Sequence, residues 1–304
     1  MNYTRKEFLQ NSTILFAAAM TGSAFTFGKN KPMLAFSTLG CPDWPFKQIV
    51  DFAAIHGYSG LELRGIKRQM DLTKCNEFSS QEKINETLSL MKEKGLKFIN
   101  LGASANMHFH EGPEKEKSIN EAKSFIDLAQ KINCPYVRVF PNKFPKDRTK
   151  DQTISTVAKN LLTLGEYAKT RNVTVLLETH GDFSGSDDIL KVMKAVSHPN
   201  IALVWDISNM WTITKESPAL VYKKLKKYIR HTHIKDARLV GDKLQYVLMG
   251  QGDVPIFEAI DILSKDGYKG YYSFEWEKLW HPEIADPEIA LADYPIAMKK
   301  HFKL

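Results

Sequence analysis

Eight times between Lys31 and Leu304, a short apolar run rich in β-branched and aromatic residues gives way to a longer amphipathic one. The short runs predict strands at Leu34–Leu39, Gly60–Leu63, Lys97–Leu101, Tyr136–Phe140, Thr174–Glu178, Ala202–Asp206, Arg230–Ile234 and Tyr271–Glu275. The longer ones predict helices at Phe46–His56, Gln81–Lys94, Lys115–Lys131, Ile154–Thr170, Asp187–Val196, Pro218–Tyr228, Pro255–Lys265 and around Pro287–Phe302. Such alternation builds βαβ units and a parallel sheet. Eight units favour a closed (β/α)8 TIM barrel of class α/β over an open sheet, and the segment is close to the ~250 residues usual for one. Gly57, Gly95 and Gly267 stand where helices should stop, because glycine enters the left-handed conformation cheaply. Asp187 and Asp188 mark a helix start, where carboxylates cap free N–H groups. The longer connections near Ala103–Pro113, Pro141–Lys150 and Ala237–Asp253 predict rim loops around a pocket.

Residues 1–30 differ in kind. Arg5 and Lys6 precede an alanine-rich apolar stretch from Ile14 to Phe27, a charged region followed by an apolar one too short to span a bilayer. The run TRKEFLQ resembles a twin-arginine export signal with Lys6 in place of the second arginine. The expectation is a signal peptide over 1–30, a barrel domain over 31–304, and an exported, periplasmic protein with no stable membrane anchor. An amphipathic first helix is the plainer reading. Cys41, Cys75 and Cys134 form neither a CxxC pair nor an even framework, so neither a disulfide scaffold nor a thiolate zinc site is indicated. The net charge of +7 comes from lysines spread over helix-like segments, which reads as solvated faces rather than a nucleic-acid surface.

Four of the predicted strands end in a polar residue. These are Glu178 in VTVLLETH, Asp206 in IALVWD, His233 in IRHTHIKD and Glu275 in GYYSFEWE. Taken singly, a glutamate ending a strand is ordinarily a solvated terminus, and a lone histidine is ordinarily a core or surface residue. In one parallel barrel, however, all four converge at the C-terminal mouth, where such barrels place their chemistry. Three carboxylates and one imidazole suit one divalent metal ion, Mn2+, Mg2+, Co2+ or Zn2+. Alternation also places Glu178 with His180, His231 and His233 with Lys235, and Glu275 with Glu277 on common faces.

The motifs LLETH, VWD, HTHIKDA and GYYSFEWE, with the opening FSTLGCPDWPFKQIVDFAAIHGYSGLELRG, resemble the sugar phosphate isomerase/epimerase family of xylose isomerase-like TIM barrels. The resemblance covers the chain from about Lys31 to Leu304. It implies a metal held by Glu178, Asp206, His233 and Glu275. It also implies proton transfer by Glu178 and Glu275 next to a carbonyl of a sugar or cyclitol, through a metal-bound enediolate, in an isomerase or epimerase. A lyase, dehydratase or hydrolase acting on keto-sugars or inososes is the alternative, because only the leaving group separates the two. There are departures. Asn209 stands where family epimerases often carry histidine, and Ser184 where they tend to carry glutamate, so the sugar-contacting shell differs.

Other strand-end residues are candidates for substrate contact. Glu62 and Arg64 end the second predicted strand and read equally well as a structural ion pair. Arg138, an arginine inside an apolar strand, needs a carboxylate partner. His110, His180 and Asn209 are candidate substrate contacts. Lys235 meets either an anionic substrate group or a carboxylate such as Asp236. Trp44, Phe36 and Trp276 offer a sugar-stacking wall, though core packing is the commoner role for such residues. An endonuclease-like phosphodiesterase would need additional histidines, and Asn209 replaces one of them. A carbohydrate-binding barrel without turnover would not require two glutamates on one metal. Homo-oligomerisation is left open.

Overall fold

The structure, a computed structural model, describes residues 31–241 and 243–304. The predicted export signal lies outside the described residues. The described strands and helices follow in chain order as β1 (Leu34–Ser37), α1 (Phe46–Ile55), β2 (Gly60–Leu63), α2 (Gln81–Glu93), β3 (Lys97–Asn106), α3 (Pro113–Lys131), β4 (Tyr136–Phe140), α4 (Lys150–Lys169), β5 (Thr174–Glu178) and α5 (Ser186–Val196). There follow β6 (Ile201–Asp206), α6 (Ile207–Thr214), α7 (Pro218–Leu225), β7 (Ile229–Ile234), β8 (Asp236–Val240), β9 (Lys243–Val247), α8 (Ile256–Lys265), β10 (Tyr272–Phe274) and α9 (Pro287–Phe302). Eight strands close into a barrel in the order β1-β10-β7-β6-β5-β4-β3-β2, every pairing parallel.

Alternation along the strands separates two packing environments. On β6, Leu203 and Trp205 join the main core, which includes apolar residues of the surrounding helices. Ala202 and Val204 point the other way and pack with Leu176 of β5 and the half-buried Tyr136 of β4, inside the barrel. Phe36, Trp44 and Trp276 are all buried members of the main core. They are packing residues, not a sugar-stacking wall.

Local chemistry explains where elements begin and end. α4 starts four residues before the predicted Ile154 because Thr149 and Gln152 form a capping box. Gln152 N–H donates to Thr149 Oγ1 at 3.2 Å, and Thr149 N–H donates to Gln152 Oε1 at 2.9 Å. α3 starts two residues early at Pro113, whose fixed φ suits the first helical turn. Gly57 and Gly267 end their helices at φ of +80° and +75°, as the sequence predicts. Asp187 and Asp188 sit in the first turn of α5 and do not cap it; Gly185 occupies the cap. Their charges still favour the positive helix end.

The largest departure from expectation lies after β7. The region predicted as a rim loop over Ala237–Asp253 begins as an antiparallel hairpin, with β8 and β9 in register from Asp236↔Val247 to Val240↔Lys243. A short helix, α6, follows β6 without a break. Strand β1 ends at Ser37, two residues before the predicted boundary, where the Ser37 side chain caps a 3-10 turn.

Candidate metal centre

The barrel's register delivers the donors to one level. Asp206 pairs with His233, and His233 pairs with Ser273. Glu275 lies one residue beyond β10, yet its N–H donates to the Ile234 carbonyl at 3.0 Å and keeps it beside β7. Glu178 is the last residue of β5. One ligand atom from each of Glu178, Asp206, His233 and Glu275 lies within 4.8 Å of the others, and all four residues are buried.

His233 Nδ1 is the centre of this group. It stands 3.2 Å from Glu275 Oε1, 3.5 Å from Glu178 Oε1 and 3.9 Å from Asp206 Oδ2. Among the described residues, neither His233 Nδ1 nor Glu178 Oε2 has a hydrogen-bond partner. Buried carboxylates this close repel one another unless a cation lies among them. Burial pushes the Asp206 carboxyl up to about 7; Lys235 opposes this, and Glu275 and Glu178 add to it. Burial acts against the His233 cation too, but Glu275, Glu62 and Glu178 hold the imidazole well above its usual range. The pocket attracts positive charge. Three oxygen donors and one imidazole, its Nδ1 orphaned, therefore fit a divalent ion.

Cations and hydrogen bonds around the group hold it in place. Lys235 Nζ donates to Asp206 Oδ2 at 2.8 Å, Glu275 Oε2 at 2.6 Å and Glu277 Oε1 at 2.6 Å. Its partners are thus these three carboxylates and not Asp236, which accepts from the Gly250, Gly252 and Ala237 N–H groups. Arg138 Nε lies 3.0 Å from Glu178 Oε2. Neither atom is in hydrogen-bond geometry, so this contact is a charge pair that leaves the oxygen's lone pairs free. Arg138 Nη1 donates to the Ala103 carbonyl at 2.8 Å. Burial raises the Glu178 and Glu275 carboxyls, but Arg138 and His233 for the first, and His233 and Lys235 for the second, outweigh it and hold both low.

Glu62 is fully buried on the far side of His233. Its carboxylate lies 2.7 Å from His231 Nε2 and 3.0 Å from His233 Nε2, and it accepts from Ser273 Oγ at 3.2 Å. This places Glu62 behind the donor group, where it orients the His233 ring with Nδ1 inward, rather than at the mouth where a substrate contact is expected from the sequence. Asp206 also acts outside the donor group, since its Oδ1 accepts from the Asn209 N–H at 2.9 Å and caps α6. Asn209 is therefore held one helical turn from the centre. His180 faces the same charges from the end of β5; its Nδ1 is 3.0 Å from Asn142 Oδ1, and burial lowers its pKa. His110 is not brought to the group. Its side chain is 38% exposed after β3 and pairs with Glu111 at 3.3 Å.

Two participants escape sequence reasoning. Glu277 holds Lys235, and Tyr246 of β9 donates to Glu277 Oε1 at 3.0 Å. Glu277 carries a signal, its shared face with Glu275. Tyr246 carries none, because its approach depends on the hairpin folding back.

A closed parallel barrel with a buried donor group at the C-terminal ends of its strands defines a class of proteins whose chemistry sits at that mouth. The Xylose isomerase-like TIM barrel family matches residues 50–293, and the chain belongs to it. It is 26% identical to a 3-dehydroshikimate dehydratase of Bacillus anthracis over 71% of this chain and 78% of that protein. It is 24% identical to a fructoselysine 3-epimerase of Shigella flexneri over 57% of this chain and 64% of that protein. Among solved structures, the IOLI protein, determined with a bound zinc atom, superposes with a TM-score of 0.75 at 18% identity, covering 90% of this chain and 100% of that one.

Proposed function

We propose that this protein is a divalent-metal-dependent isomerase or epimerase that moves a proton next to a carbonyl of a sugar or cyclitol. The observation that carries the reading is the approach of Glu178, Asp206, His233 and Glu275 within 4.8 Å, with His233 Nδ1 unpartnered. These four residues would hold the ion. When bound, the ion supplies Lewis acidity, which favours the negative charge that develops on a carbonyl oxygen as the neighbouring C–H is deprotonated.

The remaining steps belong to the chain. Glu178, kept ionised by Arg138 and His233, takes the proton. Glu275 returns one from the opposite flank. Return to the other face epimerises, and return to the adjacent carbon isomerises. Lys235 holds Asp206 and Glu275 in place, and Glu62 holds His233. A dehydratase shares the proton abstraction and differs by expelling a β-hydroxyl; the likeness to a 3-dehydroshikimate dehydratase favours this second reading. Residues 1–30 support export, which cell fractionation tests.

The deciding experiment incubates Mn2+-loaded protein in D2O with ketoses, inososes and 3-keto-glycosides. Metal-dependent deuterium uptake without loss of water identifies an isomerase or epimerase. Formation of a dehydrated product, with or without deuterium uptake, identifies the second reading. The absence of both exchange and dehydration with every compound defeats both readings.

A further inference from the structure

Among the described residues, Arg64 is a buried cation with no counterion in contact. It follows β2, two residues beyond Glu62 and on the same face, one step nearer the barrel mouth. The residue is only 6% exposed. Its Nη2 donates to Ser104 Oγ at 2.9 Å, while Nη1 is buried with no hydrogen-bond partner. Among the described residues, no carboxylate lies within 4.0 Å of the guanidinium. Glu121, the acid nearest in this chain of contacts, accepts from the Ser104 N–H at 2.6 Å.

A second guanidinium lies alongside. A Cβ added at Gly102 would meet Arg64 Cδ at 2.7 Å and Arg138 Nη2 at 2.8 Å, so the two arginines flank one glycine of β3. Arg138 is occupied by Glu178 and the Ala103 carbonyl. Burial, and then Arg138, push Arg64 down to about 10; Glu121, Glu178 and Glu275 pull the other way. Arg64 therefore feels two of the candidate metal ligands without touching them. A guanidinium that only braced the fold would be paired, since an unpaired buried charge is destabilising. Arginine is also the side chain best shaped to bind carboxylate and phosphate.

We infer that Arg64 is a specificity-determining residue that binds an anionic group of the substrate, a carboxylate or a phosphate, so that the protein acts on acidic rather than neutral sugars or cyclitols. The inference rests on the reading of the donor group as the reaction site.

The test uses the full chain loaded with Mn2+ and three ligands on a ketose skeleton: D-fructose, D-fructuronate and D-fructose 6-phosphate. Isothermal titration calorimetry is run on the unaltered protein, Arg64→Gln and Arg64→Lys. At least one acid should bind ~10- to 100-fold more tightly than D-fructose, the range a charged hydrogen bond supplies. Which acid does so separates carboxylate from phosphate. Arg64→Gln should abolish that preference and leave D-fructose affinity unchanged, and Arg64→Lys should keep part of it. The ligand-free thermal midpoint of Arg64→Gln should not fall, whereas loss of a structural arginine would lower it. Equal affinities, binding of D-fructose alone, no binding of either acid, or a preference that survives Arg64→Gln overturns the inference. Deuterium exchange separates the two proposals. Anion preference without exchange defeats the proton-transfer reading alone, and exchange into D-fructose with equal affinities defeats the role of Arg64 alone.

Discussion

The inside of the barrel has a floor and a mouth, and they obey opposite rules. The floor is Leu176, Ala202 and Val204, with Tyr136 against them, an apolar cluster containing no charge. Two residues further along the same strands, Leu176 gives way to Glu178 and Val204 to Asp206, and the interior becomes a group of buried acids held by Lys235 and Arg138. One strand thus serves both levels. The floor contributes transfer free energy and close packing. The mouth concentrates like charges that burial makes unfavourable unless cations sit among them. Keeping the backbone regular while changing the side chain every second residue lets stability and chemistry share one scaffold.

The sharpest way to break this contrast is to neutralise a mouth carboxylate. Glu178→Gln and Glu275→Gln should each reduce solvent-deuterium incorporation by ~10²- to 10⁴-fold, the range for a general acid or base, with an unchanged far-ultraviolet circular dichroism spectrum. Undiminished exchange in either variant removes that residue from proton transfer. At the floor, Leu176→Ala should cost about 2–5 kcal/mol of stability by urea denaturation while Mn2+ affinity changes only a few-fold. A large loss of metal affinity there would show that floor and mouth are not separable.

Metal removal should have a smaller effect. With free Mn2+ at about 100 times its Kd, the loaded protein should exceed the EDTA-treated one by about 2.7 kcal/mol. An unshifted thermal midpoint would count against the centre. Smallest is a pH effect at the boundary between the two levels. Burial raises the Glu62 carboxyl, but His233 and His231 outweigh it and hold it well below the usual carboxylate range. A carboxyl lowered on folding adds stability that is present above its unfolded pKa and lost as pH falls below it. Denaturation between pH 7 and pH 3 should therefore show a steeper acid loss in the unaltered protein than in Glu62→Gln. Parallel slopes would mean that Glu62 is not ionised against the histidines.

The elements set by local chemistry are legible in the chain. Periodicity marks all eight barrel strands, and Gly57 and Gly267 mark helix ends, because hydrophobic spacing and left-handed backbone are properties of short segments. The start of α4 is also written locally, in the capping box of Thr149 and Gln152, although apolar periodicity alone places it four residues late. The hairpin β8–β9 also has a local mark, Gly-Asp between the runs DARLV and KLQYV, although strand–helix alternation alone reads the region as loop. At the mouth, the positions of Glu178, Asp206, His233 and Glu275 follow from counting strands. The place of Glu62 does not, since a buried acid shared by two histidines of a distant strand leaves no local trace.

Sequence alone determined the βαβ rhythm, the number of barrel strands and the chemical types that end four of them, because each is written in spacing within about ten residues. Tertiary structure decided which of those polar groups share a point, which acids Lys235 joins, and that Arg64 meets none among the described residues. Those outcomes depend on ångström-scale distances between residues far apart in the chain. Electrostatic energy at low dielectric changes steeply over such distances, and barrel register sets them.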